Sequence, residues 1–226
     1  MSLTRQSFAV IALLAAAAST HAGPITSVGG LNGLGSFNGT FTYVPTDATK
    51  GTLNLTLNNT SPLANGGYLT AFVFNNPGQR ITGASLWSSD VHFQLLGGPA
   101  FNNAVNGAPY GRFDLGASTG GSFEGGGNPS KGIAAGGSED FVFHFTGSGM
   151  DSLTTQDFFS TFSVPPGSGE GVQAFAARFR GFECGGSDKV PGMEQPVLTP
   201  EPATLPISLA GLAVIVGLCR LRRVSA

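Results

Sequence analysis

Between residues 36 and 182 apolar and polar positions alternate with a period of two. In 51–59 (GTLNLTLNN) Leu53, Leu55 and Leu57 alternate with Asn54 and Thr56, and in 139–147 (EDFVFHFTG) Phe141, Phe143 and Phe145 alternate with Val142 and His144. Successive side chains of a strand point to opposite faces, so each stretch predicts a strand with one buried face. The segments 36–44, 68–74, 81–87, 90–96, 109–116 and 172–182 carry the same signal. Clusters of Gly, Asn, Pro and Ser, such as NNPGQ (75–79) and PPGSGEG (165–171), separate them. Many short strands divided by turn residues predict an all-β fold, an antiparallel β-sandwich or jelly roll. One helix is expected within 153–162 (LTTQDFFSTF), with Thr154 as cap and Asp157 three residues on.

Two regions interrupt the alternation. From 97 to 138 the chain is Gly-rich and holds only the 109–116 strand, which predicts long surface loops at one end of the sandwich, where binding residues tend to sit. The segment VPGMEQPVLTP (190–200) has three prolines and no period, which predicts an extended tether over 191–199 after a β domain of 23–190.

Both ends are apolar. Residues 1–22 have Arg5, eleven apolar residues from Phe8 to Ala18 and a small-residue exit at Thr20-His21-Ala22. This is the pattern of a secretory signal peptide cut between Ala22 and Gly23, and it implies export machinery and a signal peptidase as partners. From Ala203 to Cys219 there are 17 uncharged residues without a polar face, enough for one spanning helix. Arg220, Arg222 and Arg223 follow as a membrane stop, and the positive-inside rule keeps them cytoplasmic.

Charge and composition narrow the partners. Residues 23–200 hold seven Lys/Arg against twelve Asp/Glu, a net of −5, with no basic stripe, which argues against a nucleic-acid partner. The same region carries 17 of the 18 phenylalanines, a core large enough to offset the entropy lost by its 33 glycines. Cys184 is its only cysteine, so no disulfide framework is expected.

Candidate chemistry is sparse. GASTG (116–120) matches the serine-hydrolase elbow around Ser118, but that elbow needs a following helix and the chain continues GSFEGGGNPS. GEGVQA (169–174) fits a loose dinucleotide pattern, yet it leads into a β-like run instead of the helix N-terminus that phosphate binding needs. His92 and His144 fall in strand patterns opposite the apolar set, as outward side chains. Arg178 and Arg180 share one strand face, where Glu183, Asp188 or another surface acid is the expected partner. Trp87 is expected in the core, with a sugar-stacking platform as the alternative. Asp114, Glu124, Glu139 and Asp140 lie in or beside the Gly-rich stretch and are candidates for a ligand site or a structural Ca²⁺, although no Asp-x-Asp-x-Asp loop supports calcium. No other cofactor is indicated.

Pro200-Glu201-Pro202, the short apolar segment and the arginine cluster, in that order, resemble the PEP-CTERM sorting signal of exopolysaccharide-producing Gram-negative bacteria. The resemblance covers about 25 residues. It implies that an exosortase, a membrane transpeptidase resembling cysteine proteases, cuts near Pro-Glu-Pro and sends the mature protein to the surface or matrix. The stretch ARFRGFECGGSDKVPG (177–192) is similar to a form that recurs in domains bearing such tails, to which no activity attaches. The expected function is a structural or adhesive role within an exopolysaccharide layer. The alternative is a secreted carbohydrate-binding module or glycoside hydrolase using loops 97–138, whose carboxyls would converge at about 5–10 Å.

Overall fold

The computed structural model describes residues 22–165 and 169–195. Residues 1–21 of the export segment, Pro200-Glu201-Pro202, the predicted spanning segment 203–219, and Arg220, Arg222 and Arg223 lie outside the described residues.

The fold is all-β, as the alternation predicts. The strands are β1 (Gly23–Ser27), β2 (Phe37–Asp47), β3 (Lys50–Asn59), β4 (Gly66–Phe74), β5 (Ile81–Ser88), β6 (Gln94–Leu96), β7 (Val105–Asn106), β8 (Arg112–Phe113), β9 (Leu115–Ser118), β10 (Ile133–Ala134), β11 (Ser138–Gly147), β12 (Phe175–Phe182) and β13 (Ser187–Glu194). They do not divide into two separate sheets. One path, β5-β11-β3-β2-β1-β13-β12-β4-β9-β6, is hydrogen-bonded throughout, with β10 added to β4 and a small β7–β8 ladder apart. Every pairing is antiparallel.

Most of the phenylalanines roll this sheet around one main core. Phe141, Phe143 and Phe145 are at most 1 % exposed, and so are Leu53, Leu55 and Leu57. Contacts join strands far apart in the sheet order: Phe72 of β4 lies edge-on to Phe141 of β11 at 4.7 Å, and Phe41 of β2 meets Phe74 of β4 at 5.6 Å. Phe37 of β2 lies 5.5 Å from Phe175 of β12. Such offset and edge-to-face pairs add to the burial of large apolar side chains.

The expected helix is α1 (Thr155–Ser160), and the Asp157 carboxylate accepts the Thr154 N–H at 2.7 Å and its hydroxyl at 2.8 Å. Three other expectations change. The strand predicted over 90–96 is reduced to β6, because a turn forms at 91–92 when Asp90 Oδ1 accepts the His92 N–H at 2.8 Å. The strand predicted over 109–116 breaks between β8 and β9 at Asp114, which is buried. The tether predicted from residue 191 is instead the end of β13, where Ser27, Thr26 and Ile25 pair with Gly192, Met193 and Glu194 on one side and β12 pairs on the other. Pro191 has no donor, but its carbonyl accepts the Val28 N–H at 2.9 Å.

The Gly-rich stretch also departs from expectation. It forms a cover on the outer face of β4, β12 and β9, where Ala71, Val73 and Ala176 pack with Tyr110, Phe113 and Phe123 in a second buried cluster. Apolar residues occupy both faces of β4 here, and so its outward side chains need this layer.

Candidate functional site

The structure separates the four acids. Asp114, 3 % exposed, accepts the Asn76 N–H at 2.7 Å, the Asn103 N–H at 2.6 Å and the Gln79 amide at 3.3 Å. It ties the start of the cover to the loop after β4. Glu124 sits on the cover and faces Arg178 Nη1 at 3.2 Å and Lys189 Nζ at 2.8 Å. Glu139 and Asp140 are neighbours in β11 and so point to opposite faces. Glu139 accepts from the Ser89 hydroxyl, and Asp140 from Thr56 Oγ1 at 2.7 Å. No two of the four carboxylates share a hydrogen-bond partner, although Ser89 Oγ also accepts the Asp140 N–H at 3.1 Å, and among the described residues no three His, Cys, Asp or Glu side chains group as metal ligands.

Arg178 and Arg180 do share the outer face of β12, but their partners lie in the cover. Arg178 pairs with Glu124, and Arg180 Nη1 donates to the Gly126 carbonyl at 2.8 Å. Burial lowers the Arg178 guanidinium below its ordinary value; Glu124 opposes this and Arg180 adds to it. Lys189 Nζ also donates to the Ala108 carbonyl. Three cations of β12 and β13 thus clasp a glycine loop that has little side chain of its own.

Asp188, expected as a surface acid beside Arg178 and Arg180, is instead 1 % exposed and fully engaged elsewhere. Its carboxylate accepts the backbone N–H groups of Asn32 (3.0 Å), Leu34 (2.8 Å), Gly35 (3.0 Å) and Lys189 (2.9 Å). It pins the loop between β1 and β2 to β13 and has no role with Arg178 or Arg180. Its one sequence sign is an acid flanked by Ser187 and Lys189 in a segment whose strand pattern is weak.

Ser118 is buried at 1 % exposure, donates to the Ser122 carbonyl at 2.7 Å and accepts the Gly120 N–H at 3.0 Å. No helix follows it. The two motif glycines answer to packing: a Cβ on Gly116 would lie 2.0 Å from the Phe72 carbonyl oxygen, and one on Gly120 2.5 Å from that of Gly126. GEGVQA leads directly into β12, also without a helix. Cys184 is a free, exposed thiol in the turn between β12 and β13.

Trp87 is the clearest correction. It is 56 % exposed, on the outer face of β5, because Ala84 and Leu86 are the residues that pack against the core and Ser85 and Trp87 take the opposite parity. Val142 lies directly across from it on β11, then Asn54 on β3 and Thr42 on β2. The next row reads Ser85, His144, Thr52 and Val44; on the other side Asp140, Thr56 and Thr40 align. His144 is exposed in this array, with Nδ1 3.3 Å from Thr52 Oγ1, whereas His92 sits in the turn after β5 with Nδ1 2.7 Å from Asp90.

The outer surface therefore has two halves. Over β4, β12 and β9 it is apolar and covered; over β2, β3, β11 and β5 its outward residues are mainly Thr, Asn, Ser, Asp, His, Val and Trp, exposed or half-exposed, with Lys50 at the start of β3. Fold and surface define an all-β domain rolled from one antiparallel sheet, with one open polar face. No family model, no curated protein and no solved structure matches the chain.

Proposed function

We propose that the chain is an exported protein of the cell surface or extracellular matrix, sorted through its C-terminal tail and structural or adhesive in an exopolysaccharide layer. Residues 1–22 direct export and are removed by signal peptidase. The segment 203–219 then holds the precursor in the inner membrane with its C-terminus in the cytoplasm, until an exosortase-type enzyme cuts near Pro200-Glu201-Pro202. The observation that carries this reading is the order of the tail: Pro-Glu-Pro, 17 uncharged residues, then three arginines in four positions, in a chain that also begins with a signal-peptide pattern.

Two structural facts support it. The first strand of the sheet begins at Gly23, so removal of residues 1–22 would leave β1 whole. The acids that a glycosidase would bring together are instead engaged separately, Asp114 in the core and Glu124 in an ion pair, which favours a structural or adhesive role over hydrolysis. We read the rolled sheet, with β4 and β12 packed against β2, β3 and β11, as sandwich-like.

Mass measurement of the mature protein from its native host tests the processing. The expected species starts at Gly23 and ends near Pro200; surface material still ending at Ala226 overturns the cleavage. Replacing Pro200, Glu201 and Pro202 by alanine is expected to strand the precursor in the inner membrane, and unchanged delivery would remove the motif's role.

A further inference from the structure

We propose that the open outer face of β5, β11, β3 and β2 is a binding surface for a neutral polysaccharide, with Trp87 as its stacking plate. A pyranose ring has an apolar C–H face and a rim of hydroxyls, so it needs an exposed aromatic plane beside fixed hydrogen-bonding groups. The face supplies both. The Trp87 indole is 56 % exposed, with Val142 opposite it and Asp140 and His144 diagonal to it. The row continues through Asn54 and Thr42, so that it crosses four strands, about 14 Å, the length of roughly three sugar rings.

Three features select this ligand over others. Asp140 is the only formal charge in these three rows, and the domain around them is acidic, so a polyanion is repelled and a neutral chain is not. The outward side chains are largely hydroxyl and amide, with single apolar residues between them, which suits a hydroxyl-rich polymer and not a lipid surface. Cross-strand bonds already order part of the array: Thr56 to Asp140 at 2.7 Å, Asn58 to Asn38 at 2.7 Å and Thr52 to His144 at 3.3 Å. Side chains fixed before binding lose less entropy when the ligand arrives. The other half of the outer surface hides its apolar side chains under the cover, whereas this half leaves its only tryptophan in water.

The inference rests on the surface-protein reading for the presence of a polysaccharide, but its test does not use delivery. The full chain, purified in a non-glycosidic detergent, is run in native gels cast with cellulose derivatives, dextran, a β-1,3-glucan or alginate. Retardation by at least one neutral polysaccharide is expected, and not by alginate. Trp87→Ala should weaken it about tenfold, the loss of one aromatic stacking contact, with an unchanged melting temperature because the side chain is exposed. Asn54→Ala, at a distance along the same row, should weaken it less. Absence of retardation by every neutral polymer, equal retardation of the Trp87→Ala chain, or retardation by alginate alone overturns the proposal. Failed delivery in cells with retardation intact would instead strike the sorting reading and leave this one standing.

Discussion

Asp188 and Glu124 are both carboxylates bonded to cationic or N–H groups, but their environments give them different weight. Asp188 is buried and accepts four backbone N–H groups, three of them (Asn32, Leu34 and Gly35) in the loop it holds. Asp188→Ala orphans these donors and is expected to cost about 3 kcal/mol or more, read as a fall in the denaturation midpoint. Glu124 is 41 % exposed, and Glu124→Ala is expected to cost about 1 kcal/mol or less, with a salt-dependent part. Equal losses for the two would contradict the burial argument. Neither role is visible in residue type: "an acid near a turn" describes both.

At the scale of elements, the strong alternating runs became β3 and β11, and the capped helix became α1. The weak runs were decided by their neighbours. β13 contains Pro191 and Gly192 and shows little alternation, yet it lies between β1 and β12 in the middle of the sheet. Pairing on both sides supplies what propensity lacks. A chain stopped after Val190 removes the residues that pair with Ile25, Thr26 and Ser27, and is expected to show no cooperative thermal transition, while one stopped after Gln195 keeps it. A cooperative melt of the shorter chain would mean that 191–194 is dispensable, as a tether would be.

For the molecule as a whole, two buried tyrosines, one in each buried cluster, make stability depend on pH above 10. Tyr43 donates to the Met150 carbonyl at 2.9 Å and Tyr110 to the Lys189 carbonyl at 2.9 Å. Burial first, then Asp151 for Tyr43 and Asp188 and Glu170 for Tyr110, pushes each hydroxyl up to about 12. In the unfolded chain both ionise near their ordinary value of 10.0. The folded state thus holds its protons longer, so stability is complete below pH 10 and falls as pH rises toward 12. The loss is expected to reach about 2–3 kcal/mol for each tyrosine. Ultraviolet titration should show two of the three tyrosines ionising only near pH 12, together with a falling unfolding midpoint.

The sequence by itself determined the all-β class, the inward Phe and Leu sets, α1 with its Asp157 cap, and the order of motifs at the two ends, because these are local patterns of period, capping and composition. Only the tertiary structure decided that the strands form one sheet, that the Gly-rich stretch is a lid over apolar residues, and that Trp87 stands outside. The reason is physical. Alternation says that a strand has two different faces, but which one meets the core depends on what packs against it. Leu86 and Ala84 took the inner place on β5, and that choice left the indole in solvent on the edge strand of the open face.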